Sequence, residues 1–200
     1  MAESTWRPLS VCETDQEALS ALITIHAPNA KRVLDCTFSK GTMWRGLNPT
    51  TFDVIRSDLS PQTLLDVQAD YTKLPFLINT FDCIIYDPPH IADGGKNGLM
   101  HKRYGSNIGN GLEDMMYDFL AEASWVLKPK GVILAKIANG VHGQKFINWS
   151  NKFLYIADDL GFDQVDEMIR ARKNIVIDSK WKNVYHVKRS HIYWLAVQKP

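Results

Sequence analysis

A continuous apolar run, Cys83-Ile84-Ile85-Tyr86, which ends in the tetrapeptide DPPH at residues 87–90, constrains the fold more than any other feature. A strand that is apolar on both sides is typical of the middle of a parallel sheet, where helices cover both faces. The two prolines stop such a strand because they cannot donate backbone hydrogen bonds to a neighbour. We therefore expect residues 82–86 to form a central strand that presents an acid at its carboxyl end.

Strand-like and helix-like patterns alternate along the rest of the chain. A capping box at Thr14 to Glu17 begins a helix in the N-terminal segment 1–30. Strands separated by helix-length segments predict an α/β fold, here a single Rossmann-like doubly wound sheet that is mostly parallel with an antiparallel C-terminal strand. The predicted strands are 32–36, 52–58, 132–137, 162–169 and 191–197, and the predicted helices are 112–127, which Lys128-Pro129-Lys130-Gly131 ends, and 146–160.

The composition limits the class of protein. A chain of 200 residues that is 45% hydrophobic predicts one globular domain over residues 1–200. The net charge of +1 means that binding to nucleic acid would depend on a local cluster of cations. Three cysteines without a CxxC pair argue against disulfides and zinc, so we expect a reducing cytoplasm and no metal site. No apolar run is long enough to span a membrane, and we expect no membrane partner.

Acids stand at the carboxyl ends of the predicted strands, where ligands bind in doubly wound sheets. The first strand leads into Asp35-Cys36-Thr37-Phe38-Ser39-Lys40-Gly41, whose glycine lets the backbone approach a ligand closely. Asp58 follows at the distance at which an acid binds ribose hydroxyls, and Asp70 can accept from an adenine amino group. The chain has no GxGxxG or Walker loop, which argues against dinucleotides and nucleoside triphosphates. The pattern predicts a site shaped for adenosine.

The DPPH tetrapeptide resembles the DPPY or NPPY signature of the class I S-adenosylmethionine-dependent amino-methyltransferases, which modify N6 of adenine or N4 of cytosine. The order of the acidic segments along residues 31–137 is also similar to that of the family. Two positions depart from the family pattern, because Ser39 stands where a second glycine is usual and His90 stands where Tyr, Phe or Trp is usual. The resemblance implies S-adenosylmethionine as cofactor, with the methionine part near Asp35, Cys36, Thr37, Phe38 and Gly41, the ribose at Asp58, and the adenine near Asp70 and Tyr71.

The same resemblance implies a catalytic role for Asp87, Pro88, Pro89 and His90. An exocyclic amino nitrogen is a poor nucleophile because its lone pair is delocalised into the ring. If the Asp87 carboxylate and the Pro88 carbonyl accept its two N–H bonds, the nitrogen can pyramidalise and direct its lone pair at the methyl group. His90 would stack on the extruded base.

Two regions are predicted to bind the substrate. Residues 91–111 form a glycine-rich insert without predicted structure directly after DPPH, and such inserts are often binding loops. The basic region 168–191 interleaves cations with Trp181 and Tyr185, which suits phosphates and stacked bases. The predicted substrate contacts are His101, Lys102, Arg103, Tyr104, Lys136, His142, Arg170, Arg172, Lys173, Lys182, Lys188 and Arg189.

These features favour methyl transfer to N6 of adenine in DNA. There is little room for a target-recognition domain, so we expect relaxed specificity, or recognition shared with a dimer mate or a separate subunit. Three alternatives stay open: RNA as the substrate, a non-catalytic subunit of a methyltransferase complex, which the departures at Ser39 and His90 would suit, and methylation of a protein glutamine amide.

Overall fold

The computed structural model describes residues 8–47, 50–61, 64–89, 108–142, 144–172 and 186–200. Three helices lie in these ranges, α1 (Asp15–His26), α2 (Ile108–Val126) and α3 (Trp149–Asp159), together with a 3₁₀ turn at Thr42–Trp44. The strands are β1 (Val11–Cys12), β2 (Arg32–Asp35), β3 (Asp53–Asp58), β4 (Val67–Gln68), β5 (Phe81–Tyr86), β6 (Leu127–Ile137), β7 (Gly140–His142), β8 (Lys145–Ile147), β9 (Asp163–Ala171) and β10 (His191–Gln198).

Eight of these strands form one twisted sheet in the order β1-β9-β10-β6-β5-β2-β3-β4, and β7 pairs with β8 in a separate hairpin. Only β10 runs antiparallel to its neighbours in this sheet, between β6 and β9. The strand order reverses between β2 and β5, which are adjacent and parallel. The predicted mostly parallel sheet with an antiparallel C-terminal strand is confirmed, and ligands are expected where β2 and β5 end.

The hydrophobic core lies on both faces of the sheet. Leu34, Ile84 and Ile133 point to the face that α2 and α3 cover. Val33, Ile85 and Leu134, their neighbours in sequence, point to the face that α1 covers. This alternation explains why β5 is apolar throughout, because each of its sides is buried under a helical layer.

Helix boundaries differ from the prediction in two places. Leu127, expected as the last helical residue, begins β6, and the backbone N–H groups of Asn79 and Thr80 cap the end of α2 by donating to the carbonyls of Trp125 and Val126. Phe146, expected in a helix, lies in β8 opposite Val141. Asn148 begins α3 instead, because its side chain accepts a hydrogen bond from the Asn151 N–H.

Other segments refine the prediction. The capping box is confirmed, since Thr14 accepts from the Glu17 N–H while Glu17 accepts from the Thr14 N–H. Residues 108–111, expected within a structureless insert, belong to α2. The pattern missed β1, β4 and the β7–β8 hairpin, because two or three residues are too few to show a period. In the described part of the chain, no helix is both long and apolar enough to cross a membrane.

Candidate active site

A cavity of about 710 Å³ opens at the carboxyl edge of the sheet, beside the switch point between β2 and β5. Its size is within the range of small-molecule sites. Acids line the part next to β3 and β4, cations line the part next to β9 and β10, and the end of β5 lies between them. The lining residues are Cys36, Thr37, Ser39, Asp58, Leu59, Asp70, Tyr71, Thr72, Asp87, Pro88, Pro89, Met115, Asp118, Ala138, Asn139, Arg172, Arg189, His191 and Ile192.

Asp58 joins the two loops on the acidic side of the cavity. One of its carboxylate oxygens accepts the backbone N–H of Ser39 at 2.8 Å, and the other accepts that of Ser60 at 2.8 Å. The carboxylate is therefore held in place at the end of β3 before any ligand binds.

Asp35 lies beneath the cavity and does not line it. The side chain is fully buried, and its two oxygens accept from the Trp44 indole N–H at 2.7 Å and from the backbone N–H of Thr37 at 3.1 Å. The pKa of Asp35 is raised to about 7, chiefly by burial and to a smaller extent by the nearby carboxylates of Asp87 and Asp58, whereas the hydrogen bonds from Trp44 and Thr37 oppose this shift. Asp35 shapes the turn that carries Cys36 and Thr37 into the cavity wall.

The remaining residues of the acidic side are held by local contacts. Asp70 accepts from both the backbone N–H and the hydroxyl of Thr72, at 2.9 and 2.8 Å. The Tyr71 ring packs edge-on against Tyr86 and Phe119 in the core. Burial raises the pKa of the Cys36 thiol well above its usual range, so the thiol stays neutral and donates to the Ile85 carbonyl at 3.2 Å.

Asp87, directly after β5, is fixed at its backbone and at its side chain. Its backbone N–H donates to the Thr37 hydroxyl at 2.7 Å, which joins the loops that follow β2 and β5. One carboxylate oxygen accepts from Lys136 Nζ at 2.9 Å. Pro88 and Pro89 are buried and continue the cavity wall from this point.

The basic side of the cavity carries two cations, one of which packs on an aromatic ring of a neighbouring hairpin. Arg172 follows β9 and Arg189 precedes β10, so the sheet brings both to the same edge. The Arg189 guanidinium lies over the Phe146 ring of the β7–β8 hairpin, 4.4 Å from the ring centroid. The His186 ring contacts the Gln144 carbonyl oxygen of the same hairpin at 2.6 Å. These contacts join the β7–β8 hairpin to the segment that leads into β10. Arg189 of that segment lines the cavity, whereas the described residues of the hairpin do not.

Solved structures with this fold include methyltransferases. TrmN from Thermus thermophilus matches over 92% of this chain and 49% of its own, with 18% identity and a TM-score of 0.60. A 1,6-didemethyltoxoflavin-N1-methyltransferase from Burkholderia thailandensis, solved with 1,6-didemethyltoxoflavin and S-adenosylhomocysteine, matches over 94% and 79%, with 16% identity and a TM-score of 0.59. A SAM-dependent methyltransferase from Methanosarcina mazei matches over 89% and 96%, with 10% identity and a TM-score of 0.56. The chain has the class I methyltransferase fold.

At sequence identities of 10–18%, what this chain shares with these structures is the path of the backbone. This chain spans about half the length of the TrmN chain. No protein-family model matches the sequence, and no curated protein matches it.

The structure describes seventeen of the predicted site residues and brings most of these to one cavity. Ten of them line the cavity: Cys36, Thr37, Asp58, Asp70, Tyr71, Asp87, Pro88, Pro89, Arg172 and Arg189. Six described residues do not line it: Asp35, Phe38, Gly41, Lys136, Arg170 and Lys188. His142 ends β7. His90, His101, Lys102, Arg103, Tyr104, Lys173 and Lys182 lie outside the described residues.

Nine lining residues are not among the predicted site residues: Ser39, Leu59, Thr72, Met115, Asp118, Ala138, Asn139, His191 and Ile192. Asp118 and Met115 come from α2, and Asn139 follows β6. Met115 was interpreted only as part of the helix predicted over residues 112–127, and Asp118 lies one turn further along the same side. Asn139 closely follows a strand, so the rule that ligands bind at the carboxyl ends of strands could have identified it.

Proposed function

We propose that this protein transfers a methyl group from S-adenosylmethionine to the exocyclic amino group of a nucleobase, with N6 of adenine in DNA as the favoured acceptor. The observation that carries this proposal is that Asp87-Pro88-Pro89 lines the same cavity as Asp58 and Asp70, at the carboxyl edge of a class I sheet. The resemblance of DPPH to the amino-methyltransferase signature agrees with this placement.

The residues on the acidic side fit the proposed cofactor. Asp58 ends β3 and Asp70 closely follows β4, the strand paired with it, so both offer carboxylate oxygens to hydroxyl and amino groups. The cavity is large enough for a nucleoside with an amino acid side chain. S-adenosylhomocysteine is bound in the Burkholderia enzyme of the same fold. When bound, the cofactor supplies the activated methyl group.

Asp87 and Pro88 carry the chemistry of the acceptor. The Asp87 carboxylate accepts one N–H of the exocyclic amino group, and the Pro88 carbonyl accepts the other. With both N–H bonds held, the nitrogen lone pair turns out of the plane of the ring and becomes a nucleophile. The carboxylate does not have to reorient during the reaction, because Thr37 and Lys136 already hold Asp87 in place.

The basic side of the cavity supports a polynucleotide acceptor. Arg172 and Arg189 are suited to phosphates on either side of an extruded base, since guanidinium groups bind phosphate oxygens in pairs. A protein glutamine would make no use of these cations. The same contacts suit RNA, so the experiment below decides whether DNA or RNA is the acceptor.

The experiment is methyl transfer from radiolabelled S-adenosylmethionine to separate pools of DNA, tRNA and rRNA, followed by digestion to nucleosides. We expect labelled N6-methyladenine in DNA. Label in an RNA nucleoside would identify RNA as the acceptor in place of DNA. The absence of label from every pool would overturn the proposal.

One variant tests whether Asp87 carries the chemistry, and a second serves as its control. Asp87→Ala should abolish methyl transfer while cofactor binding, measured by calorimetry, persists. Asp159→Ala is the matched control, because it removes an exposed carboxylate at the end of α3, away from the cavity. Full activity of Asp87→Ala would contradict the role of Asp87.

A further inference from the structure

Four charged side chains form a row of ion pairs that begins at Arg170, passes through Asp15 at the N-terminus of α1 and Lys136, and ends at Asp87. Lys136 Nζ lies 2.9 Å from one Asp87 carboxylate oxygen and 3.1 Å from an Asp15 carboxylate oxygen. Arg170 Nε lies 3.0 Å from the other oxygen of Asp15. Positive and negative charges therefore alternate in the order Arg170, Asp15, Lys136, Asp87.

The topology brings these residues to one face of the sheet. Lys136 on β6 is the direct cross-strand partner of Trp194 on β10, and Trp194 packs in the core that α1 covers. The Trp194 indole N–H donates to Asp15 at 3.1 Å. The Arg170 Nε–H is not aligned with an acceptor, so Arg170 holds Asp15 by charge and Trp194 holds it by a hydrogen bond.

Burying these charged side chains costs free energy of folding, which points to a role other than stability. Lys136 is only 8% exposed, and removing charges from water costs free energy that their pairing only partly returns. A buried ion pair is therefore weak evidence for a stabilising role. Here the buried cation contacts the carboxylate that lines the cavity after β5.

We propose that Lys136, held by Asp15, is a positioning residue that orients the Asp87 carboxylate toward the acceptor amino group. This inference rests on the proposed function. Lys136 holds one oxygen of Asp87 while Thr37 holds its backbone N–H, so the carboxylate cannot rotate freely. Asp15 keeps Lys136 at the junction of β6 and β5. In this arrangement Lys136 acts on Asp87 and does not contact the substrate.

The first test measures the contact without any substrate, by following the Asp87 carboxyl carbon in ¹³C NMR during an acid titration. Charged groups that face this carboxylate include Lys136 on β6 and Asp35 on β2, with Asp15 behind the lysine. Lys136→Met removes the cation and keeps the aliphatic stem, so the titration midpoint of Asp87 should rise by about one pH unit or more. An unmoved midpoint would overturn the inference.

Asp15→Asn makes the opposite prediction in the same experiment. Asparagine keeps an oxygen that can still hold Lys136 Nζ and removes only the negative charge that competes for the lysine, so the Asp87 midpoint should fall. The matched control is Asp166→Asn, which breaks the 2.8 Å contact between Asp166 and His26. That contact also joins α1 to β9 but does not reach Asp87, so this variant should leave the midpoint unchanged. A midpoint that rises in Asp15→Asn would contradict the proposed chain of charges.

The second test uses single turnovers with the acceptor that the labelling experiment identifies. Lys136→Met should slow methyl transfer by about tenfold to a hundredfold while the cofactor dissociation constant changes by less than about twofold, because misplacing a reacting group mainly costs rate. Lys136→Arg should recover part of the rate, and Asp166→Asn should keep all of it. Wild-type rates in Lys136→Met would overturn the inference. If the wild-type protein transfers no methyl group, the proposed function fails, and the NMR comparison still decides whether Lys136 controls Asp87.

Discussion

The carboxylate of Asp58 accepts a hydrogen bond from the backbone N–H of Ser39 at 2.8 Å, which joins the end of β3 to the turn after β2. Ser39 has a φ of 50°, in the left-handed region that glycine usually occupies. Ser39, the position at which the resemblance expects a glycine, therefore adopts a backbone conformation that glycine favours, and Asp58 holds it there. A single acid thus shapes both loops of the proposed cofactor site.

Asp58→Asn should weaken binding of S-adenosylhomocysteine by about tenfold, since an amide has a single acceptor oxygen for the two N–H groups that now share the carboxylate. Isothermal titration calorimetry measures the effect. Asp53→Asn is the control, because Asp53 is exposed at the opposite end of the same strand. Equal affinity of the two variants would contradict the role of Asp58.

Gly41→Ala should destabilise the protein by about 2–3 kcal/mol, because a Cβ at this position would lie 2.5 Å from the Phe38 ring in addition to the strain of a positive φ. Gly46→Ala separates the two effects. Gly46 has a φ of 78° with nothing within 4 Å of an added Cβ, so its substitution should cost only about 1 kcal/mol. Urea unfolding of both variants gives the difference, and equal destabilisation would show that the Phe38 ring moves aside.

Asp35 should make the protein less stable as the pH rises from 4 to 7. Its pKa is raised by burial from 3.8 to about 7 in the folded chain, so in this interval the unfolded state releases the proton that the folded state keeps. The free energy of unfolding should then fall by up to about 4 kcal/mol from this group. Asp35→Asn should flatten the slope by that amount in denaturant titrations.

The same variant should be less stable than the wild type at pH 4, by about 1–3 kcal/mol, because the amide cannot accept from both Trp44 and Thr37. By pH 7 the loss of up to about 4 kcal/mol in the wild type exceeds this difference, so the variant should be the more stable protein there. A variant that keeps the wild-type slope would show that Asp35 titrates in its usual range.

Arg172→Ala and Arg189→Ala should each weaken DNA binding and reduce the slope of log K against log salt by about 0.9, as expected when a protein makes one phosphate contact fewer. Fluorescence anisotropy at several salt concentrations measures both quantities. Lys31→Ala is the control, because it removes an exposed cation before β2, at the opposite edge of the sheet. An unchanged slope in both arginine variants would argue against phosphate contacts at the cavity.

Much of the fold follows from local pattern. The apolar run of β5, the stripe of α2 and the capping box at Thr14 are each encoded within a few neighbouring residues, and each was predicted. The acids at strand ends were also predicted, because a parallel sheet brings all carboxyl ends to one edge whatever the details of packing.

Contacts between distant segments were not predicted. Asp15 was interpreted as part of the capping box, and nothing near it in sequence indicates that it also meets Lys136 and Trp194. The hydrogen bond from Trp44 to Asp35 depends on how the 3₁₀ turn folds back over β2. Such pairs depend on how whole helices and strands pack together, and the periodicity of a short stretch of sequence carries no information about that packing.

The edge of the sheet at β9 has a consequence for self-association. Within the described ranges, only Ile169 and Arg170 of β9 are paired with β1, and the preceding residues of the strand have β10 alone as a partner strand. That stretch carries Asp163, Asp166 and Glu167. A second copy that added its own β9 in antiparallel register would bring acids against acids, so the charge of this strand disfavours edge-to-edge aggregation.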